Sequence, residues 1–505
     1  MTFVSGNSQT LLDSIYSTDK TIEHSDEVLK GLVLDASNQS PLPYANIFIL
    51  NKNKGVVTNE KGYFSINISD YNETDSLRIS YIGYTTIDKS IKELKIHSVI
   101  NLKEDHLLLN NITLLGSTLA PKTIIEKVIE NRSINYQETS SKKQVFIRKR
   151  VISNVNKINF DCKKSNSKSL NQELIEVLEN EIPKHTISYK DFLGDIYQQQ
   201  YENDSIAIKV NPIKIIELEE KTDLTKLGEL KDTFKEILNS TKTNEYWKIK
   251  TGLIGGKVNI NENSISIGGT TENSDSLNTK SIDPYSDQKE IINDLASYTS
   301  FENEDQWAFL YNTSDYQYTL YGVTIANGEE VYIIDFKPTN KGLYAGRLYV
   351  AMNTYALIRA DYEYYSGGIG RDIQLFGIGY TENKFKTSLY FEKSDNLYKL
   401  KYCSRIKGLV FSFDRTVSFL KKKERFLFDQ KLEQIKVGIN VSVSSESSIE
   451  ILILEENKIN NEVFNKVKQD EISNIIYVDQ FDEDLWKDYS IIEPTKQMKN
   501  YKKIN

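Results

Sequence analysis

The first part of the chain contains short segments in which apolar and polar residues alternate. Side chains alternate between the two faces of a β-strand, so apolar residues at every second position share one face. Three segments with such a face carry Ala45, Ile47 and Ile49, then Phe64, Ile66 and Ile68, and then Leu77, Ile79 and Tyr81. Short strands with one apolar face and frequent turns between them predict a small antiparallel sandwich.

Turn residues separate these strands. Residues 41–43 include two prolines before the segment with Ala45, and the polar stretch 58–61 leads into Gly62. Gly62 stands where the chain must reverse, and glycine accepts a positive φ there without a steric penalty. Gly83, between aromatic residues, predicts a bulge or a close approach of two backbones.

These residues resemble the carboxypeptidase-like regulatory domain, a transthyretin-like β-sandwich. The matching pieces are Gly31-x-Val33-x-Asp35, Pro41-Leu42-x-x-Ala45-x-Ile47, Gly55-x-x-Thr58-x-x-x-Gly62-x-Phe64 and Ser80-Tyr81-Ile82-Gly83-Tyr84. The family usually has Thr-Asp before the turn glycine, where this chain has Thr58-Asn59. The resemblance implies an accessory domain without catalytic residues, of a kind common in envelope proteins of the Bacteroidetes type.

A second series of strands begins at Tyr316. Asn327-Gly328 is a strong hairpin signal between an alternating segment and the apolar segment 331–336. Segment 346–352 is then predicted to pair with 355–364, which places Ala356, Ile358, Ala360, Tyr362 and Tyr364 on an apolar face and Leu357, Arg359, Asp361 and Glu363 on a wet face. Further strands are predicted at 385–391, 397–402, 409–413, 426–428 and 437–443.

This meander resembles the curved half-barrel of lipoprotein-carrier-like envelope domains, in which helices cover the concave face. The resemblance depends on Gly346-x-Leu348-Tyr349-Val350 followed by Thr354-Tyr355-Ala356-Leu357-Ile358-Arg359. The end of the chain, with a helix at 463–467 and then 486–494, resembles the C-terminal pattern of the same envelope proteins. That pattern implies a terminal segment that packs back on the domain.

Helices are predicted between the two series of strands. Pro121 suits a first helical turn, where its missing N–H would have no partner. Apolar residues at helical spacing predict a helix with Ile124, Ile125, Val128 and Ile129 on one face, a helix over 170–178 and a helix over 224–238. A pair of strands is expected at 145–147 and 151–152, and 261–288 is predicted to be an exposed insertion.

The predicted fold class is therefore mainly β with α: a transthyretin-like antiparallel sandwich followed by a larger, helix-covered antiparallel sheet. The expected organisation is a lead-in over 1–29, the regulatory sandwich over 30–116, helices and strands over 121–240, the large meander over 241–455 and a tail over 456–505.

Composition narrows the partners and the compartment. A net charge of −8 carried by both signs gives no basic footprint, so nucleic acid is not an expected partner. No window approaches twenty apolar residues, so no transmembrane helix is predicted. Residues 1–9 are similar to the last part of a secretory signal whose front is missing, although a disordered N-terminus accounts for them equally well.

The two cysteines, Cys162 and Cys403, leave two alternatives open. They could form one disulfide in an oxidising periplasm, or they could be two separate structural thiols, which is the commoner case.

Motifs for catalysis are weak. His24 and Glu27 satisfy a His-x-x-Glu pattern, but a zinc centre needs three protein ligands, and His97, His106 and His185 have no matching acidic partners. Gly367-Gly368-Ile369-Gly370-Arg371 lies between strands of a meander, so a hairpin loop explains it better than a dinucleotide site. No catalytic, metal or cofactor-binding residue is predicted, and no cofactor is expected.

Aromatic residues could form a surface that contacts sugar or lipid, although large aromatics are more often core residues. The candidates are Trp247, Trp307, Trp486 and the cluster of Tyr362, Tyr364 and Tyr365.

The leading hypothesis is a non-enzymatic envelope protein, periplasmic or associated with the outer membrane, that binds another envelope protein or an apolar ligand. The alternatives are a periplasmic carrier of a lipid or lipoprotein acyl chain, and a hydrolase of envelope polymers.

Overall fold

The chain forms two compact units in a computed structural model. The structure describes residues 28–51, 54–108, 119–137, 139–167, 171–201, 206–219, 244–252, 254–261, 264–268, 285–326, 328–339, 341–394, 396–426, 428–469 and 475–501. The first unit comprises residues up to His106 together with Asp482–Lys499, and the second comprises Leu107–Phe481 with the residues from Asn500 onward. The first unit thus includes Asp482–Lys499, a segment predicted to belong to the tail.

The first unit is the predicted sandwich. Its strands are β1 (Val28–Asp35), β2 (Asn46–Ile49), β3 (Gly55–Val57), β4 (Tyr63–Asn67), β5 (Ser76–Ser80), β6 (Ile87–Ser90) and β7 (Val99–Leu102). One sheet has the order β4-β1-β7 and the other has the order β3-β2-β5-β6. The pairs are antiparallel except for β1 and β7, which run parallel.

The alternating residues form the core between the sheets, as predicted. The three sets are buried on β2, on or just after β4, and on β5, and Tyr81 packs partly buried against them. Burial of each large aliphatic or aromatic side chain stabilises the fold by about 1.5–3 kcal/mol, so this period-two pattern is the main reason that these segments become strands.

The turn between β3 and β4 depends on two buried polar side chains. The Thr58 hydroxyl donates to the main-chain O of Leu42 at 2.7 Å and accepts from the main-chain N of Ala45 at 2.8 Å. Asn59 Oδ1 accepts from the main-chain N of Lys61 and of Tyr63, at 2.9 and 3.1 Å. Gly62 has a φ of +78°, and a Cβ there would meet the main-chain O of Val33 at 2.6 Å, so the position requires glycine.

Two details of the sandwich differ from the predictions. The last predicted strand ends at Ser80, and 81–84 forms a turn in which Gly83 has a φ of +88°. No heavy atom lies within 4 Å of where a Gly83 Cβ would be, so the positive φ explains the glycine better than a lack of space does. A second backbone does approach here as predicted, because the main-chain N of Asp105 donates to the main-chain O of Gly83 at 2.8 Å. Helix Ile91–Ile96 was not predicted, although Ser90 and Glu93 form a capping box, a pattern that indicates the start of a helix.

The segment Asp482–Lys499 packs on the sandwich. Asn59 Nδ2 donates to the main-chain O of Glu493 at 2.9 Å, and Asn67 Nδ2 donates to the main-chain O of Lys487 at 2.8 Å. Four apolar side chains of the segment are buried, and these residues are Trp486, Ile491, Ile492 and Met498. Lys499 pairs with Glu483 at 3.0 Å and with Glu493 at 2.5 Å. A terminal segment therefore packs back, as expected, but on the N-terminal sandwich.

The second unit is built on one large sheet, which β8 (His106–Leu108) precedes. Its strands are β9 (Ser141–Ser165), β10 (His185–Gln200), β11 (Ile206–Glu219), β12 (Glu245–Thr251), β13 (Ile254–Asn261), β14 (Ser264–Gly268), β15 (Tyr316–Ala326), β16 (Glu329–Pro338), β17 (Tyr344–Ala351), β18 (Leu357–Tyr364), β19 (Asp372–Leu375), β20 (Ile378–Ser394), β21 (Leu397–Lys423), β22 (Gln430–Lys458) and β23 (Ile475–Val478). The main path runs β23-β11-β10-β9-β22-β21-β20-β18-β17-β16-β15, with β12 to β14 beside β21 and β19 beside β20.

Three central strands are much longer than predicted. The pair expected at 145–147 and 151–152 is one strand of 25 residues, β9, and the polar run after it continues the strand to Ser165. The segments 397–402 and 409–413 belong to one strand of 27 residues, and 437–443 lies inside one of 29. Each of these strands has a neighbouring strand on both sides. The two ladders of main-chain hydrogen bonds therefore keep polar segments extended, although polar residues have a low intrinsic propensity for strands. Residues 426 and 428 lie in the turn and not in a strand.

The predicted hairpins around Asn327-Gly328 and at 346–364 are confirmed, with β15 to β18 pairing antiparallel in sequence; Asn327 itself is outside the described residues. The predicted wet face of β18 is wrong at its start. Leu357 is buried, and Arg359 is only 4% exposed, with its Nε 2.8 Å from Asp361 Oδ2. An ion pair along the strand thus allows a charged side chain to be buried.

Helices pack against the large sheet. They span Pro121–Glu130, Arg132–Asn135, Gln172–Glu181, Ser286–Thr299, Ala308–Tyr311 and Asn461–Lys466. Pro121 begins its helix as predicted, and Ile124, Ile125 and Val128 are buried. The helix expected over 224–238 lies outside the described residues. An exposed insertion was expected over 261–288. Near its start the structure instead has strand β14, and at its end helix Ser286–Thr299 begins. No helix in the described ranges is long and apolar enough to cross a bilayer.

The fold class is confirmed as mainly β with α. A sandwich comes first, and a larger antiparallel sheet with helices against it follows.

Candidate functional site

The large sheet and the helices beside it enclose a cavity of about 300 Å³ in the second unit. Strands β9, β10, β21 and β22 form one side. Helix Ser286–Thr299 and residues 300–302 form the other, together with 132–137. Ligand pockets in proteins commonly have volumes of about 300–1,000 Å³, so this cavity has room for a small molecule.

Part of the cavity lining is apolar, on both the helix and the sheet. Helix Ser286–Thr299 contributes Ile292, Leu295 and Ala296, which share a face because residues three and four apart are neighbours on a helix. The sheet contributes Val145, Leu400 and Ile453. Asn293 and Asp294 lie on the exposed face of the same helix. The apolar stripe of this helix therefore faces both the sheet and the cavity.

The sheet also supplies a charged group of residues. Glu456 accepts a contact from Lys399 Nζ at 3.1 Å and from Lys143 Nζ at 3.8 Å, and all three side chains are largely buried. Lys143 Nζ also lies 3.4 Å from Gln198 Oε1. Buried charges require partners of opposite sign, and here two ammonium groups share one carboxylate. Two ammonium groups and one carboxylate thus meet at this point of the lining, which also includes Arg132 and Glu302.

Glu392 and Lys401 interact electrostatically with each other, and Lys401 also interacts with Glu456. Burial raises the pKa of Glu392, although Lys401 opposes the shift. Burial lowers the pKa of Lys401, while Glu392, Glu456 and Glu455 oppose the shift. Both shifts favour the neutral forms, as expected for ionisable groups withdrawn from water.

Two tyrosines also line the cavity, and hydrogen bonds hold both rings. Tyr136 OH donates to the main-chain O of Leu357 at 2.8 Å, and Tyr398 OH donates to Glu329 Oε2 at 2.8 Å. Burial raises the pKa of Tyr136 well above its ordinary value. Burial also raises the pKa of Tyr398, with Thr354 opposing and Glu329 adding to the shift. Both phenols therefore remain neutral hydrogen-bonding groups over the physiological pH range.

The side-chain amide of Gln200, on the cavity wall, has an acceptor oxygen that makes no hydrogen bond within the described residues. This oxygen, Oε1, is buried, although the main-chain N and O of Gln200 are both paired. A buried polar atom without a partner costs about 1–3 kcal/mol, which a ligand with a donor group would recover. The cavity thus combines an apolar side with ammonium donors and an amide acceptor.

The aromatic candidates from the sequence do not form one contact surface. Trp307 is fully buried, with its ring centre 4.7 Å from Phe301 and 5.9 Å from Tyr362. Trp247 is buried in a different cluster, with Ile435 and Val437. Trp486 belongs to the segment packed on the sandwich, and Tyr365 alone of the candidate tyrosines is strongly exposed. The tryptophans are core residues.

The other candidate motifs do not assemble into a site. His24 and Glu27 lie outside the described residues, and the described ranges hold no group of three or more His, Cys, Asp or Glu able to bind a metal. His185 Nδ1 lies 2.7 Å from Asn154 Oδ1 on the exposed side of β10. Residues 367–371 lie in the loop between β18 and β19, as expected for a connection between strands. Cys162 and Cys403 are both free thiols.

Sequence reasoning missed the cavity residues. Lys143, Lys399 and Glu456 come from three different strands that are far apart in the chain, so no local motif connects them. The helical spacing of Ile292, Leu295 and Ala296 was the one local signal, and it fell just beyond the expected insertion.

Similar proteins fall into two kinds. Residues 29–114 match the family model of the CarboxypepD_reg-like domain. Among solved structures, MucB in complex with MucA(peri) shows 9% identity, a TM-score of 0.16 and coverage of 64% of this chain and 94% of that chain. The Pseudomonas aeruginosa MucA/MucB complex shows 8% identity and a TM-score of 0.15, with coverage of 64% and 93%. MucB alone shows 7% identity and a TM-score of 0.18, with coverage of 65% and 94%.

Such low TM-scores support no inference about function. No curated protein matches this sequence. The family match covers the strands of the sandwich, and the buried Thr58 and Asn59 and the turn at Gly62 all lie within it. The resemblance noted in the sequence is thereby confirmed: the segment 29–114 belongs to the carboxypeptidase-like regulatory domain family.

Proposed function

We propose that this chain is a non-enzymatic binding protein of a bacterial cell envelope. The sandwich acts as an accessory interaction module, and the larger unit holds a small amphipathic molecule in its cavity. The observation that carries the proposal is the composition of the cavity wall. An apolar stripe, Ile292, Leu295 and Ala296, borders the same space as Lys399 and the unpartnered Gln200 Oε1. Sites for small molecules commonly combine an apolar lining with a few placed polar groups.

The wall favours a small ligand with a polar head over a long acyl chain. The methylene groups of an acyl chain would displace water from Lys143, Lys399 and Glu456. They could not replace the hydrogen bonds that water makes to these charged groups, so the binding free energy would be less favourable. A ligand carrying a carboxylate or another anionic group would instead pair with the two ammonium groups that share Glu456. Transport of a lipid or a lipoprotein acyl chain is therefore the second candidate.

The chemistry of the wall supports binding and not bond cleavage. Ser133 and Ser300 supply hydroxyl groups, but the described lining contains no histidine, the side chain that most often activates a hydroxyl nucleophile. Hydrolysis of envelope polymers is therefore not part of the proposal.

Native mass spectrometry of the gently purified full chain tests the binding function. We expect a bound small-molecule mass in the wild type. The variant Ala296→Trp should lose it because the indole fills the cavity. Asn293→Trp is the matched control: it adds the same side chain on the exposed face of the same helix and should retain the mass. A clean unliganded mass for all three proteins contradicts the proposal, and the mass of a lipid would favour the carrier function.

The envelope location is supported by the family of the sandwich, which is common in such proteins of the Bacteroidetes type. Fractionation of native cells should place the protein in the periplasmic or outer-membrane fraction. Recovery from the cytoplasmic fraction alone would contradict the location without affecting the test of the cavity.

A further inference from the structure

The hairpin that joins β21 to β22 presents two phenylalanines to solvent. Phe426 and Phe428 are 102% and 86% exposed, the highest values among the large apolar side chains of the described residues. Both lie in the turn between Lys423, where β21 ends, and Gln430, where β22 begins. Exposed apolar groups of this size are costly in water, and clusters of them commonly mark surfaces that bind proteins or membranes.

Basic residues surround these phenylalanines. Residues 421–431 contain five basic and two acidic side chains, a net charge of +3 in a chain whose net charge is −8. Lys423, Arg425 and Lys431 are exposed. The hairpin tip is therefore locally positive on a protein that is negative as a whole.

The acidic residues near the tip are engaged at its base. Asp429 accepts a hydrogen bond from Tyr246 OH and lies 3.8 Å from Lys422. Glu245 and Glu433 both face the ammonium of Lys421, at 3.5 and 3.8 Å. Lys431 Nζ donates to the neutral amide of Gln434 at 2.8 Å, which leaves its charge uncompensated by that contact. Glu424 lies between Lys423 and Arg425, and with its charge included the segment 421–431 still has a net charge of +3.

The base of the hairpin is rigid enough to hold the tip in place. Strand β12 pairs with β21 from Glu245 to Thr251, and the main-chain N of Glu424 donates to the main-chain O of Asn244 at 2.8 Å. Trp247 is buried there and lies 6.0 Å from Lys421 Nζ. The two phenylalanines are therefore carried on an ordered three-stranded base.

We propose that this hairpin tip docks on an anionic lipid surface. Phe426 and Phe428 enter the boundary between headgroups and acyl chains, while Lys423, Arg425 and Lys431 contact the anionic headgroups. A bilayer can close around a narrow convex tip, whereas a stable protein interface buries a broad patch of about 800 Å² on each partner. The shape of the tip and its charge both favour the membrane. This inference does not depend on the ligand in the cavity.

Co-sedimentation of the full chain with vesicles tests the proposal. We expect binding to vesicles of equimolar phosphatidylglycerol and phosphatidylcholine, much weaker binding to phosphatidylcholine alone, and weaker binding at high salt because salt screens exposed charges. The variant Phe426→Ser/Phe428→Ser should bind at least about tenfold more weakly. Lys423→Gln/Arg425→Gln/Lys431→Gln should lose the preference for the anionic vesicles.

Phe376→Ser is the matched control, because Phe376 is 79% exposed in another hairpin turn, between β19 and β20, and no lysine lies within seven positions of it in the chain. It should bind as the wild type does. The variant Phe426→Trp gives a second measurement: its fluorescence emission should shift to shorter wavelength when anionic vesicles are added. Three results would overturn the proposal. The wild-type protein does not bind anionic vesicles, the fluorescence emission of Phe426→Trp does not shift, or the double phenylalanine variant binds as strongly as the wild type. Capture of a protein through the same two phenylalanines without vesicle binding would overturn it in favour of a protein partner.

Discussion

The side-chain amide of Asn59 donates a hydrogen bond to the main-chain oxygen of Glu493, 2.9 Å away and 434 positions later in the chain. The same side chain uses its oxygen to accept from Lys61 and Tyr63 in the turn before β4. An aspartate, the usual residue of the family at this position, could make the turn but could not donate. The departure from the family pattern at Asn59 therefore has a structural reason, the attachment of the segment Asp482–Lys499.

We predict that Asn59→Asp loosens this segment while it keeps the turn. The new carboxylate would face the Glu493 carbonyl oxygen without a proton to share, at a cost of about 1–3 kcal/mol for a buried site. Limited proteolysis of the full chain should show cleavage within Asp482–Lys499 at least about fivefold faster than in the wild type.

Asn38→Asp is the control for this substitution. Asn38 is exposed, and its Oδ1 accepts from the main-chain N of Ser40 at 2.8 Å, a contact that aspartate retains. Its cleavage rate should match that of the wild type. Equal rates for all three proteins would show that the amide of Asn59 does not hold the segment.

Asp35 should make the sandwich sensitive to acid. Burial alone would raise the pKa of Asp35, but hydrogen bonds from Ser37, Tyr84 and the main chain outweigh it and lower the pKa from 3.8 to about 2. The ionised carboxylate therefore contributes stability that is fully present above about pH 3.8 and is lost as the pH falls through about 2. Urea titrations that follow the fluorescence of Trp486 should give the free energy of unfolding of wild type and of Asp35→Asn. The difference between the two free energies should be constant near neutral pH and should become smaller below pH 3.8. A difference that does not change with pH would contradict this assignment.

Two ion pairs of the same geometry should differ in their effect on stability. Arg148 and Asp191 lie opposite each other on β9 and β10, with Nε to Oδ1 at 2.8 Å and Nη2 to Oδ2 at 2.6 Å, and both are buried. Arg78 and Asp88 form the same two contacts, both at 2.8 Å, between β5 and β6, with side chains 50% and 40% exposed.

Asp191→Asn should therefore cost about 3–5 kcal/mol, because it leaves a buried guanidinium without its counter-charge. Asp88→Asn should cost no more than about 1 kcal/mol, because water solvates the exposed arginine. The free energy of unfolding of the unit that holds each pair measures both effects. Similar losses for the two variants would mean that burial does not decide the difference.

The two thiols should differ in reactivity. Burial raises the pKa of Cys403 to about 11, although Arg405 and Thr387 oppose the shift, whereas Cys162 is half-buried. The thiolate is the reactive form, so a thiol reagent should modify one cysteine of the native protein promptly and the second only after unfolding. Cys162→Ser should remove the prompt reaction. Prompt modification of two thiols in the native wild type would contradict the prediction.

Local patterns predicted the elements whose cause is local. The alternation of Ala45, Ile47 and Ile49 predicted a buried strand face, and these side chains are no more than 1% exposed. Pro121 begins its helix because the first turn needs no N–H from it. Asn327-Gly328 indicated a hairpin because such pairs accept the positive φ of the turn, and Gly328 has a φ of +79°.

Features that depend on distant partners could not be predicted in this way. The polar segment 442–448 is extended because β21 and β9 pair with it on both sides, not because serine favours strands. Arg359 is buried because Asp361 neutralises it, although alternation had placed both on a wet face. The cavity combines side chains from four strands and two helices, and only the folded chain brings them together.

The attachment of Asp482–Lys499 to the sandwich also sets the order in which this protein can mature. The ribosome synthesises strands β1 to β7 long before Trp486 and Ile492. The first unit therefore lacks its C-terminal segment while about 375 intervening residues are synthesised. During that interval the surface that later receives Trp486 and Ile492 is open to water or to a chaperone. A fragment cut after His106 would preserve that unfinished state permanently.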